Sequence, residues 1–355
     1  MLKKILIVLA ILIASVFAAG KWFFSLLPDA SHYEGVKTAE VKDIPYLNQA
    51  RPENRGKILA VVTSVDQMGT SGKSTGYELT ELARAYWVFK VNGFEVDIAS
   101  PLGGDAPKVL DGDDMGVFDY AFLNDGSVQQ QLENTLRIED INPLDYQAVY
   151  FVGGKGTMFD FPGHKAIKSL VRDLYEAGRI IAAVCHGPAA LLNVQLSDGR
   201  WLIADKKVSS FTNSEELFLI PEAREIFPFL LESKLIEQGA NFIGGTDYLE
   251  LVVRDGQIIS GQNPWSVWTL AEATVEALGY EPVARVRTAE EHAVDLLAVY
   301  EQQGYQAAID RLSEPAKNYE RVLVLMHGVL AFMKFELIKG WDMLMLTQKI
   351  KSAQQ

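Results

Sequence analysis

The chain opens with an unbroken apolar run from Ile5 to Ala19, preceded by Lys3 and Lys4, and apolar character resumes after Lys21 as Trp22-Phe23-Phe24-Ser25-Leu26-Leu27. Two lysines before such a run have the form of a secretory signal or an uncleaved anchor. Counted to Leu27, the stretch is long enough to span a bilayer, with Trp22 and the phenylalanines suited to its interface. The expectation is a membrane segment at 1–27, anchor ahead of cleaved signal. Its lysines lie inside, so the rest of the chain is placed outside the cytoplasm. Residues 28–56 are polar and carry Pro28, Pro45 and Pro52, which reads as a linker.

From Lys57 the pattern alternates. Short β-branched runs, KILAVVTSV (57–65), FEVDIASP (94–101), YQAVYFVGG (146–154) and RIIAAVC (179–185), read as buried strands. Between them STGYELTELARAYWVFKVNG (74–93) and HKAIKSLVRDLYEAG (164–178) have helical spacing and close on glycine. LELVVRD and QIISGQ flank Gly256 as a hairpin, and PWSVWTLAEATVEALG (264–279) closes the region as a helix. Such alternation predicts an α/β domain over 57–280, a mostly parallel sheet covered on both faces. From 281 to 355 the pattern is helical only. TAEEHAVDLLAVYEQQG (288–304) starts with a capping box of Thr288 and Glu291. The apolar stretch 320–346 is interrupted by His327, Lys334 and Glu336, and reads as a packing or homodimer helix ahead of a membrane-surface one.

Composition narrows the function. The 355 residues are 48% hydrophobic and 22% charged, enough for a full core, and the net charge of −13 disfavours nucleic acid. One cysteine, Cys185, excludes a disulfide framework or a cysteine-rich metal site. His32, His164, His186, His292 and His327 show no metal-ligand spacing, so no metal and no cofactor are expected. GTSGKST (69–75) lacks the first glycine of a phosphate loop, having Gln67 there, and DGDD (111–114) reads as a solvated turn.

Cys185 stands where a strand turns at once into a helix, between Ala183 and Gly187. That is the form of a nucleophile elbow, and the helix N-terminus would lower the thiol pKa. The backbone N–H of His186 and the Gly153-Gly154 turn are candidate oxyanion donors. On helix 74–93, Glu78 reads as the partner of Thr75 in a capping box. Glu81 lies on an apolar stripe with Ala85 and Val88, where burial would raise its pKa and suit it to proton transfer.

STGYELTE, GFEVDIASPLGG, FVGGKGTMFDFP, AAVCHGPAALL and KVSSFTNSEE, in that order, resemble the ThiJ/PfpI superfamily, specifically its glutathione-independent glyoxalase III and holdase-chaperone branch. The resemblance implies a flavodoxin-like three-layer sandwich with Cys185 as nucleophile and Glu81 as the acid touching the thiol. It also implies His186 as the histidine of a Cys-His-acid triad and Gly154 with the His186 N–H as the oxyanion site. By position the triad acid is Glu216, with Glu215 as the alternative. The expected chemistry is conversion of methylglyoxal or a related 2-oxoaldehyde to a 2-hydroxy acid without a cofactor. A holdase chaperone of envelope proteins and a cysteine amidase, peptidase or deglycase are the alternatives. The downstream His-x-Glu of glutamine amidotransferases is missing at His292 and His327.

Overall fold

The computed structural model describes residues 2–28, 34–49, 54–110, 115–313 and 318–354, without the side chains of 2–8 and 10–13. His32 and the acidic stretch 111–114 lie outside the described residues. The chain divides into two compact units, Val36–Arg285 and the pair of segments Met1–Gly35 and Val286–Gln355.

The larger unit is built on seven strands: β1 (Lys57–Val61), β2 (Glu95–Ser100), β3 (Leu136–Arg137), β4 (Tyr146–Phe151), β5 (Ile180–Val184), β6 (Val252–Asp255) and β7 (Ile258–Gly261). Their order is β6-β7-β5-β4-β1-β2-β3. All neighbours are parallel except β6 and β7, the expected hairpin around Gly256. Strand alternation sorts the core. Leu59, Val61, Val149, Phe151, Ile181 and Ala183 face a cluster completed by Ile167, Leu170, Val171 and Leu174 of a helix at Lys165–Glu176. On the opposite face Tyr150 meets Phe89 edge-on, from a helix at Leu79–Val91. Fully burying a valine, leucine, isoleucine or phenylalanine side chain of this set stabilises the unit by roughly 1.5–3 kcal/mol.

Two local departures bear on the site. The helix expected from 74 begins only at Leu79, because Tyr77–Glu78 pair as a short parallel strand with Lys108–Val109. Glu78 makes no side-chain cap, so its capping box with Thr75 does not form. The stretch read as a linker contributes to packing: Ile44, Tyr46 and Leu47 are buried, Tyr46 edge-on to Phe118.

The smaller unit holds α1 (Leu2–Phe24), α2 (Ala289–Gln303), α3 (Tyr305–Leu312), α4 (Arg321–Met333) and α5 (Leu337–Ala353). The capping box of Thr288 and Glu291 is present at α2. The stretch 320–346 is not one helix but a hairpin, broken at Phe335, whose φ is 61°. Close approach of its arms depends on Gly328 and Gly340. A Cβ on the second would lie 2.7 Å from the Phe332 ring. The end of α1 packs in this unit, with Leu26 against Leu325 and Leu344, and Trp22 Nε1 donating to Gln348 Oε1 at 2.9 Å. Among the described residues no helix is long and apolar enough to cross a membrane, so the spanning segment expected over 5–27 has no support there.

Candidate active site

Ala182, Ala183 and Val184 bring the buried end of β5 to Cys185, which takes a left-handed φ of 57°. A non-glycine residue in that region costs roughly 1–3 kcal/mol and persists only where its surroundings hold it. Here Cys185 N–H donates to the Gly261 carbonyl and Phe211 N–H donates to the Cys185 carbonyl, both at 2.9 Å. Gly187 must be glycine: a Cβ there would stand 2.3 Å from the Phe151 carbonyl oxygen. The element that follows, Gly187–Leu191, is a single stretch of 3-10 helix rather than an α-helix.

The Cys185 sulfur lies 3.2 Å from His186 Nδ1, and His186 Nε2 lies 2.5 Å from Glu216 Oε2. The His186 ring rests on Phe211, with centroids 4.9 Å apart. The structure separates Glu216 from its neighbour. Glu215 closes a capping box with Thr212 and accepts from Tyr248 N–H and from the amides of Gln262 and Asn263. Burial would push the Glu216 carboxyl up, but the His186 ring overrides it and holds the pKa below the usual value. An ionised Glu216 accepts from Nε2–H; in the neutral imidazole Nδ1 is then the acceptor that faces the thiol.

Glu81 is fully buried. Its Oε2 accepts from Gly153 N–H at 2.7 Å, while its Oε1 has no hydrogen-bond partner. Burial, and then the charge of Glu78, raise its pKa to about 8. Gly153 is the spacer between the acid and the nucleophile, since a Cβ on it would lie 2.5 Å from Glu81 Oε2 and 2.8 Å from Cys185 Cβ. The same environment corrects the expectation of a lowered thiol pKa. Burial, then the neighbouring Glu81 carboxylate, push the Cys185 thiol well up, and one turn of 3-10 helix does not offset them. Two buried acids side by side disfavour a double negative charge, so a thiolate at Cys185 goes with a protonated Glu81.

The expected oxyanion donors divide. Gly153 N–H is already committed to Glu81. The N–H groups of Gly154 and His186 donate to no protein acceptor among the described residues. Gly154 has φ 98°, and a Cβ there would meet the Gly76 carbonyl oxygen at 2.3 Å. Thr157 Oγ1 reaches both turns, at 2.9 Å from the Gly154 carbonyl and 3.1 Å from that of His186. Sequence reasoning missed Thr157 and also Lys155, whose charge lowers the pKa of Glu81, Cys185 and Glu216. Both stand in the quoted FVGGKGTMFDFP stretch, and the lysine directly after the double glycine was the available signal. Among the described residues no cluster of His, Cys, Asp or Glu is placed to hold a metal ion.

The DJ-1/PfpI family model matches residues 73–216, which include Glu81, Cys185 and Glu216. Glyoxalase 3 of Candida albicans is 31% identical over 235 residues, which span 62% of this chain and 98% of that protein. The chain belongs to the DJ-1/PfpI family. Within it, the glutathione-independent glyoxalase hsp3102 of Schizosaccharomyces pombe is 32% identical over 217 residues, 58% of this chain and 90% of that one. The crystal structure of Rapid Encystment Protein 24 KDa from Francisella tularensis superposes with a TM-score of 0.60 at 36% identity, covering 63% of this chain and 99% of that one. As a DJ-1/PfpI protein with glyoxalase-named relatives across nearly their whole length, the chain is supported as an enzyme of glyoxalase III type.

Proposed function

We propose that the protein converts 2-oxoaldehydes such as methylglyoxal to 2-hydroxy acids without glutathione, through a hemithioacetal on Cys185. The observation that carries this proposal is the buried chain of contacts from Glu81 through Gly153 to Cys185, His186 and Glu216. The names of the relatives agree with it.

The Cys185 sulfur adds to the aldehyde carbon as His186 Nδ1 takes the thiol proton, and the aldehyde oxygen becomes a hydroxyl. Glu81 removes the hydrogen from that carbon and, through an enediol, returns a proton to the adjacent carbon. One carbon is oxidised to the acid level and its neighbour reduced to an alcohol, so no external oxidant enters. Water then cleaves the thioester and restores the thiol. A carboxyl whose pKa is raised to about 8 is suited to accept and donate near neutrality. The free N–H groups of Gly154 and His186 supply donors for the enediolate oxygen.

Lactate formation from methylglyoxal by the full chain, with no glutathione present, tests this against Cys185→Ala. Cysteine-dependent lactate is the expected result. No lactate from a folded, reduced protein overturns the glyoxalase assignment. An amide-release assay on the same samples separates a cysteine hydrolase, and client aggregation that is still suppressed by Cys185→Ala separates a holdase. An extracytoplasmic location is part of the proposal, supported by Lys3 and Lys4 ahead of the apolar run. Protease accessibility in intact cells checks it.

A further inference from the structure

The turn between α4 and α5 is a complete helix C-terminal motif: Glu336 N–H donates to the Ala331 carbonyl and Phe335 N–H to that of Phe332. The residue after the cap then takes the left-handed conformation, and glycine is the usual choice there. This chain has Phe335 instead, at φ 61°, and the residue is 87% exposed. It therefore bears a backbone penalty with almost no burial in return. Its neighbours Met333, Leu337, Ile338 (81% exposed) and Trp341 are exposed as well. The only carboxylate of the tip, Glu336, lies 3.6 Å from Lys339.

A second observation comes from the other end of the chain. In the same unit, Trp341 meets Trp22 of α1 at 6.1 Å between centroids. Just before Trp22, residues 14–19 of α1 are all exposed, Val16 and Phe17 among them. An apolar helix exposed on every side is not a stable arrangement in water. Two segments far apart in sequence thus bring exposed aliphatic and aromatic side chains together at one tryptophan pair.

We propose that the 333–341 tip seats in the interfacial layer of a phospholipid bilayer beside α1, independently of what the active site does. The chemistry is that of an interfacial element: bulky apolar groups for the acyl boundary and tryptophan for the headgroup level. A protruding hairpin tip suits a fluid surface, which needs no complementary pocket, better than a protein partner, whose anchors fill pockets.

The test uses full-length protein reconstituted into phosphatidylcholine vesicles, with and without phosphatidylglycerol. Because Cys185 is the only native cysteine, Ile338→Cys in a Cys185→Ala background takes one environment-sensitive fluorophore. Ser352→Cys, exposed and about 21 Å away along α5, is the control. Seating predicts a blue shift and quenching by brominated lipid at 338, little change at 352, and roughly tenfold weaker quenching with Phe335→Asp. If the protein floats with vesicles while the 338 probe stays in water, α1 alone holds it and the proposal is overturned. A blue shift without lipid that rises with protein concentration assigns the tip to a second copy and also overturns it.

Discussion

Cys185 and Phe335 take nearly the same unfavourable backbone conformation, with φ of 57° and 61°. One ends a buried strand in the α/β unit. The other ends a helix in the helical unit. At Cys185 the strain is held from all sides, by the Gly261 and Phe211 hydrogen bonds and by glycines with no room for a Cβ at 153 and 187. At Phe335 only the two bonds of the helix end hold it, and the ring is in the open. Strain locked inside packing aims an atom at neighbours that the fold has already placed. Strain at an exposed tip presents a side chain outward. In the α/β unit Asn193, Asp205 and Tyr248 share this torsion, so the torsion alone does not distinguish Cys185 and Phe335; what differs between them is the burial around each.

The sharpest contrast comes from relieving both strains with glycine. Cys185→Gly removes the sulfur and is expected to lower kcat/KM for methylglyoxal by at least about a thousandfold. Gly153→Ala tests the packing behind that nucleophile. Its Cβ must displace Glu81 or Cys185, and a misplacement of this size costs on the order of a hundredfold in kcat/KM. A loss of only a few fold would mean that the spacing around 153 does not matter to the reaction.

Glu81→Gln asks whether the buried acid acts in chemistry or in folding. Turnover should fall about a hundredfold, yet thermal stability at pH 7 should rise by a few degrees. The sign follows from linkage. The unfolded carboxyl loses its proton near its ordinary value of 4.5, and the folded one keeps it to about 8. Between those pH values the unfolded state binds fewer protons, so stability falls as pH rises, and glutamine removes that slope. Above the Glu81 value the Cys185 thiol should also titrate lower in this variant, seen as faster iodoacetamide alkylation at about pH 9, because the carboxylate that raises it in the parent is gone. Equal melting points for variant and parent from pH 5 to 8 would rule out a raised Glu81.

Six strands of the sheet were legible as apolar runs ended by a turn, and the Cys185, His186 and Glu216 assignment came from the family resemblance; the edge strand Leu136–Arg137, two exposed residues, carried no such signal. Non-local pairings were not legible. Only the partner strand Lys108–Val109 draws Tyr77–Glu78 out of the helix and leaves Glu78 to act on Glu81. The thiol pKa was misjudged for the same kind of reason. A helix dipole can be inferred from adjacent residues, whereas the charge and burial contributed by Glu81 come from more than a hundred positions away. The break at Phe335 had no glycine or proline to announce it.

Phe335→Gly has the smallest expected effect and is the cleanest test of the contrast. Glycine removes the Cβ clash of the left-handed conformation and loses almost no buried area. Against that, a more flexible unfolded chain subtracts part of the gain. The net expectation is a stabilisation of about 0.5–1 kcal/mol, read by urea unfolding of the lipid-free protein, with weaker quenching of the 338 probe by brominated lipid. Cys185→Gly should show no comparable gain, because its backbone stays clamped by Gly261 and Phe211 and it loses buried contacts of the sulfur. If Phe335→Gly were instead destabilising by 1 kcal/mol or more, the ring would be packing against something in the folded protein. The two strained residues would then both belong to the interior logic of the fold.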